Sequence, residues 1–310
     1  MRSGLAVILF LFFWPPTTEA QLDSLDWWIS SLIHLDSITV TAQRDGFQLE
    51  EFIRIVREDD SFYDAFEQLR LTNYLSEQEM EFFDKKGKRI ARHQSLTRQT
   101  VQDSCRSMVF LEQTNSGRML KGEEFRFYTA KMLDHIFYTH GTVCPTPPGL
   151  EPKKESKMDK HQGELKKLIF SPGSEVEVPF IGRKTAIFSE KQYQYYDYTV
   201  ETDTLVGQTP CYHFHAQIKP EYLDRKESKT IVKEMDTWFS KEDFQVLRRD
   251  YQLFYQGLFR FDVRMHIDLV QTPEAYLPRK IRYEGVWKIP GKKPEKGWFE
   301  LRFLEFSPME

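Results

Sequence analysis

From residue 259 the chain alternates between two kinds of side chain. Phe259, Phe261, Val263, Met265, Ile267 and Leu269 are apolar, and Arg260, Asp262, Arg264, His266 and Asp268 between them are polar or charged. Successive side chains of a strand point to opposite faces, so this spacing predicts one apolar and one charged face. A second run follows a Pro-containing turn at Thr272 to Pro278. Ile281, Tyr283, Trp287 and Ile289 are set against Lys280, Arg282, Glu284 and Lys288. Two long strands joined by a short connection make an antiparallel hairpin with one apolar side.

Other stretches supply what that side needs for cover. Leu49, Phe52, Ile53 and Val56 fall on one helical stripe, and Phe62, Phe66 and Leu69 on a second. Ser61 with Asp64 resembles a capping start for that second helix. Met80, Phe82 and Phe83 run into a turn at Asp84-Lys85-Lys86-Gly87-Lys88, and Ile90 to Thr100 returns as a solvated strand. Ser107 to Leu111 reads as a third strand. Phe125, Tyr128, Met132 and Ile136 predict a helix over Glu123 to His140. Prolines and lysines between Cys144 and Lys160 predict a mobile loop, and Glu164 to Phe170 a short helix. From Gln192 the pattern is strands at close spacing: Tyr196 to Glu201, Tyr212 to Lys219, Ile231 to Phe239, Phe244 to Tyr251, the opening hairpin, and Trp298 to Phe306. The fold class expected is α+β, a strongly curved, mostly antiparallel sheet (a half barrel) with helices across its concave face.

The first twenty residues follow another logic. Arg2 precedes the apolar run Leu5 to Trp14, and Thr18 and Ala20 occupy the small-residue positions before a cut at Gln21. This is the form of a signal peptide, and it implies export to the periplasm or cell envelope. The organisation expected is signal peptide 1–20, an N-terminal arm with helices 21–73, and the curved sheet 74–310 carrying helix 123–140 and loop 144–160, with 21–310 as one domain. No later apolar run is long enough to span a membrane as a helix. A net charge of -4 argues against a nucleic-acid partner. Export permits disulfides, and Cys105 and Cys144 flank a helix-sized segment. The third cysteine, Cys211, makes the count odd, and the sequence does not fix the connectivity.

Three stretches together resemble the periplasmic lipoprotein-carrier superfamily of LolA and LolB type. They are Tyr74 to Arg89 with its Asp84–Lys88 turn, Gly207 to His215 running to Lys219-Pro220, and Thr237 to Val246. The chain is also similar to uncharacterised exported proteins of Bacteroidetes-type envelopes. The resemblance implies a concave apolar trough that takes an acyl chain or a lipidated partner. Phe259, Phe261, Val263, Met265, Ile267, Tyr283 and Trp287 would line it.

Candidate chemistry is sparse. Cys211, His213 and His215 lie at i, i+2 and i+4, and thiolate and imidazole suit zinc or copper. Strand rise spreads them over about 13 Å, too far for one ion without a bulge, so no metal and no cofactor is expected. His135 and His140 near Cys144 are better read as a helix end beside a disulfide than as a nucleophile pair. Tyr193, Tyr195, Tyr196 and Tyr198 suit cross-strand packing better than sugar stacking. Lys153 to Lys160 could touch anionic head groups as a peripheral contact, although interrupting acids favour a solvated loop. No hydrolase, phosphate-loop or dinucleotide motif is present. Three roles follow in order: a non-enzymatic binder of a lipid or lipidated protein, an envelope interaction module whose trough is filled by its own helices, and an envelope hydrolase.

Overall fold

The computed structural model describes residues 49–145, 169–175, 182–205, 209–223, 229–257, 260–289 and 291–307, all within one compact unit, Thr39–Glu310. The expected signal peptide and N-terminal arm, Phe259, and most of the 144–170 region lie outside the described residues.

Two short helices come first, α1 (Leu49–Glu58) and α2 (Ser61–Arg70). Their buried residues are the two predicted stripes, with Ala65 added. The start of α2 differs from expectation. Asp60 is the residue at its N-terminus, without a side-chain cap, and the Ser61 hydroxyl instead accepts the Val246 N–H at 3.2 Å. Then follow β1 (Asn73–Phe83), β2 (Arg89–Gln102) and β3 (Cys105–Gly117), the two-residue strands β4 (Leu120–Lys121) and β5 (Glu124–Phe125), α3 (Tyr128–Phe137) and β6 (Thr142–Val143). After a single turn of helix, α4 (Glu190–Tyr193), the chain is nearly all strand. These are β7 (Tyr196–Leu205), β8 (Thr209–Ile218), β9 (Val232–Ser240), β10 (Val246–Gln256), β11 (Arg260–Gln271), β12 (Tyr276–Lys288) and β13 (Glu295–Ser307).

Eleven strands form one open, curved antiparallel sheet in the order β6-β3-β2-β1-β13-β12-β11-β10-β9-β8-β7. Most pairs are consecutive strands; β6 instead pairs with β3, across the separate β4–β5 hairpin, and β13 returns to pair with β1, Met80 opposite Phe299. That pairing joins the early and late halves. The hairpin predicted from residue 259 is β11–β12, with Phe261 opposite Trp287 and Met265 opposite Tyr283.

Three expectations need correction. The helix over Glu123 to His140 is only Tyr128–Phe137. Phe125 belongs to the β4–β5 hairpin, where it pairs with Leu120, because Gly122 (φ 66°) turns the chain back before the helix begins. The returning limb β2 is not solvated. Ala91, His93, Ser95, Thr97, Gln99 and Val101 are all buried along one face. Polar residues can line an inner face when partners meet them there. Finally, Pro278 is not in the turn. Gln271 already pairs with Tyr276, and Pro278 sits inside β12 opposite Leu269, beside a register shift.

Cys105 and Cys144 form a disulfide that fastens β6 beside β3, and Cys211 is a buried free thiol.

Candidate functional site

Two surfaces of the sheet carry chemistry, one under the helices and one facing solvent. On the helix side, Phe261, Val263, Met265, Ile267, Tyr283 and Trp287 are all buried, as six of the seven expected trough residues. The structure brings them together but does not leave them open. Phe52 of α1 lies within 6.0 Å of the Phe214 ring and within 5.9 Å of the Phe239 ring. Phe137 of α3 stacks on Phe299 at 5.2 Å, and Tyr128 meets Trp287 edge-on at 6.2 Å. Phe127 stacks on Phe82 at 4.0 Å. Small residues make room for these rings. Gly285 faces Gly297 across β12 and β13, and a Cβ on Gly285 would sit 2.2 Å from the Tyr283 hydroxyl. That hydroxyl accepts the Trp287 indole N–H at 2.7 Å.

Polar ties hold the helix ends to the sheet. Glu295, at the start of β13, accepts the N–H groups of Tyr128 and Thr129, each at 3.0 Å, and so caps α3 from a distant strand. Gln99 donates its amide to the carbonyls of Leu69 and Thr72 at 3.1 and 3.0 Å, which holds the end of α2. His93 and Ser95 both meet the Tyr138 hydroxyl at 2.9 Å, just after α3. Burial holds the His93 imidazole below its ordinary value, so it sits there uncharged. His93 and Ser95 are both buried, at 0% and 6% exposure.

The fourth tie is the least comfortable. Arg249 is buried on the inner face of β10, donates to the Thr237 hydroxyl at 3.0 Å and lies over the Phe62 ring at 4.4 Å. Its counter-charge is Asp59, in the α1–α2 connection, at 3.9 Å. Asp59 Oδ2 accepts no hydrogen bond among the described residues. Burial raises the Asp59 carboxyl and lowers the Arg249 guanidinium to about 10, so desolvation outweighs pairing for both. The cleft beside them, edged by Phe170 and Met235, holds 60 Å³. Pockets for small organic ligands run to about 300 Å³ and more, so this space suits water and not an acyl chain.

The solvent face is a lattice of ionisable groups. One register row crosses seven strands as His215, Asp236, Asp250, His266, Arg282, Glu300 and Glu79. His266 bridges Asp250 at 2.7 Å and Asp268 at 2.9 Å, and these two hydrogen bonds raise its imidazole to about 9. Arg248 contacts both of those carboxylates, at 2.7 and 3.9 Å. A groove of 220 Å³ beside His266 is bounded by Glu234, Asp236, Arg264 and Arg282.

At one end of the row two imidazoles converge on one carboxylate. His213 Nε2 lies 2.6 Å and His215 Nδ1 2.8 Å from Asp236 Oδ1. Hydrogen bonding to Asp236 raises the His215 imidazole. Burial pushes the Asp236 carboxyl up, but its two histidine partners outweigh that and hold it well below the carboxylate range. Cys211 does not join them. Burial raises its thiol, which disfavours the thiolate that a metal ligand needs. The residue missed by sequence reading is Asp236. It lies 21 positions beyond His215, and only the β8–β9 register places it opposite.

His140, three residues beyond α3, contacts Asp134 at 3.0 Å. Tyr193, Tyr196 and Tyr198 pack together in the interior, with Tyr193 and Tyr198 stacked at 4.8 Å.

No family model and no curated protein matches the chain. Among solved structures it is similar to a DUF1329 family protein from Desulfovibrio piger, with a TM-score of 0.27 and 12% identity over 80% of this chain and 90% of that one. It is also similar to a putative outer membrane lipoprotein-sorting protein domain from Vibrio parahaemolyticus, with a TM-score of 0.28 and 7% identity over 84% and 93% of the two chains.

Proposed function

We propose that this is a non-enzymatic protein of the cell envelope that binds an acyl chain or lipidated partner in its apolar trough, and that α1, α2 and α3 cover the trough in the unliganded state. The observation that carries the reading is the way the cover is fastened. Three helices of ten residues each lie on an aromatic floor, tied down at their ends by polar side chains. One tie, Arg249 with Asp59, is a buried ion pair in poor geometry. A pair like that contributes little net stability, so it suits a cover that lifts better than a permanent wall. An acyl chain gains about 0.8 kcal/mol per buried methylene, enough in sum to replace the helix contacts it displaces. Export through residues 1–20 and peripheral contact through Lys153 to Lys160 belong to the same proposal.

A second reading has its own support. The trough residues are fully covered and the adjoining cleft is only 60 Å³, as in a module filled by its own helices. Substituting Phe261 or Met265 by a charged residue does not separate the two, because at 1% and 2% exposure each is also core. Purification without detergent followed by mass spectrometry, and titration with a fluorescent fatty acid, do. The lipid reading expects copurifying acyl species or saturable uptake at one per chain, tighter in Arg249→Met than in the parent. Folded parent and variant that are both empty and both inert leave the filled module as the function.

A further inference from the structure

We propose that His213, His215 and Asp236 form a binding site for a divalent transition metal ion, zinc foremost, on the solvent face of the sheet. This inference is independent of what the trough binds.

Three observations support it. The ligand atoms of the three residues all lie within 4.8 Å of one another. Four-coordinate zinc, with bonds of about 2.0–2.2 Å, needs its ligands roughly 3.3 Å apart. The contacts at 2.6 and 2.8 Å must open slightly and the remaining one close, by shifts on the order of 1 Å that side-chain torsions allow. The donors are also held in place. The His213 ring lies flat on the Trp238 indole, 4.4 Å away and 1° from parallel, and Trp238 donates its N–H to Asp203 at 2.9 Å. Fixed imidazoles with outer partners are how metal-binding histidines are oriented. Finally, the donor set is selective. Two imidazoles and one carboxylate suit zinc, copper, nickel or cobalt, whereas calcium and magnesium prefer all-oxygen shells. Three protein ligands leave a coordination position for water or an exogenous group.

The neighbouring His266 shows why the assignment falls here. It too contacts two carboxylates, but Arg248 lies on both of them and supplies the positive charge a dication would bring. Arg248 also lies over the Trp238 ring, 4.8 Å from its centroid, with its own charge met by Asp250 and Asp268.

The test uses the tag-free mature chain after chelator treatment, titrated with Co²⁺ and followed by its visible ligand-field bands, with Zn²⁺ competition by calorimetry. One ion per chain is expected, without the intense charge-transfer band of a thiolate ligand. His213→Gln and Asp236→Asn should each weaken binding by roughly 100-fold. Cys211→Ser and His266→Gln should leave it unchanged, and circular dichroism shows each variant folded. The proposal is overturned by no saturable Co²⁺ or Zn²⁺ binding to the parent, by binding that survives both ligand substitutions, or by binding that Cys211→Ser abolishes.

Discussion

His266 shows how a single side chain couples this sheet to pH. Its period-two position puts it on the solvent face, as the sequence predicts, but its two carboxylate partners come from β10 and from its own strand. The folded value of about 9 lies above the ordinary 6.5, so the protonated form is preferred in the folded state. The resulting stability is complete below about pH 6.5 and is lost as pH rises through about 9. We expect denaturant unfolding of the parent to lose on the order of 2 kcal/mol across that window beyond what His266→Gln loses, after discounting for partial exposure and shared partners. Parallel pH profiles for the two proteins would remove this account.

At the scale of elements, the helices and strands follow their hydrophobic period and their attachments do not. Leu49, Phe52, Ile53 and Val56 announce α1 because a helix with one buried stripe must repeat near 3.6 residues. Arg249 announces nothing of its place. A charged residue beside Arg248 in a strand reads as one more solvated position, yet only one of the two faces out. Its partner Asp59 is far away in sequence. Removing Arg249 alone strands a buried carboxyl, so Arg249→Met should cost about 3–5 kcal/mol, and Arg249→Met with Asp59→Asn should recover most of that loss. Equal destabilisation in the single and double variants, measured by urea unfolding, would mean that the pair is not coupled. The overextended helix at Glu123 to His140 has a similar cause. Phe125 fits the helical stripe by spacing, but Gly122 and pairing with Leu120 claim it for a hairpin.

For the whole molecule, the sheet is open, and each edge strand has one neighbour. At the β6 edge the disulfide Cys105–Cys144 closes a separation of 39 residues and fastens a strand that, among the described residues, pairs through Arg106–Val143 and Ser107–Thr142. Chain entropy alone assigns such a link about 4 kcal/mol. Cys105→Ala with Cys144→Ala should lower stability by up to that amount, and hydrogen exchange should quicken first at β6. Uniform quickening across β8 to β12 instead would place the effect elsewhere.

The sequence by itself determined most of the strands and helices and the side of β11–β12 that turns inward. Those follow from local periodicity, because a strand or helix exposes its two sides at fixed intervals. Only the tertiary structure decided that β13 returns to β1, that the polar row His93 to Gln99 is interior, that Arg249 meets Asp59, and that Asp236 stands between two histidines. Each depends on which distant segment lies opposite, and a periodic pattern records that a side is covered without recording what covers it.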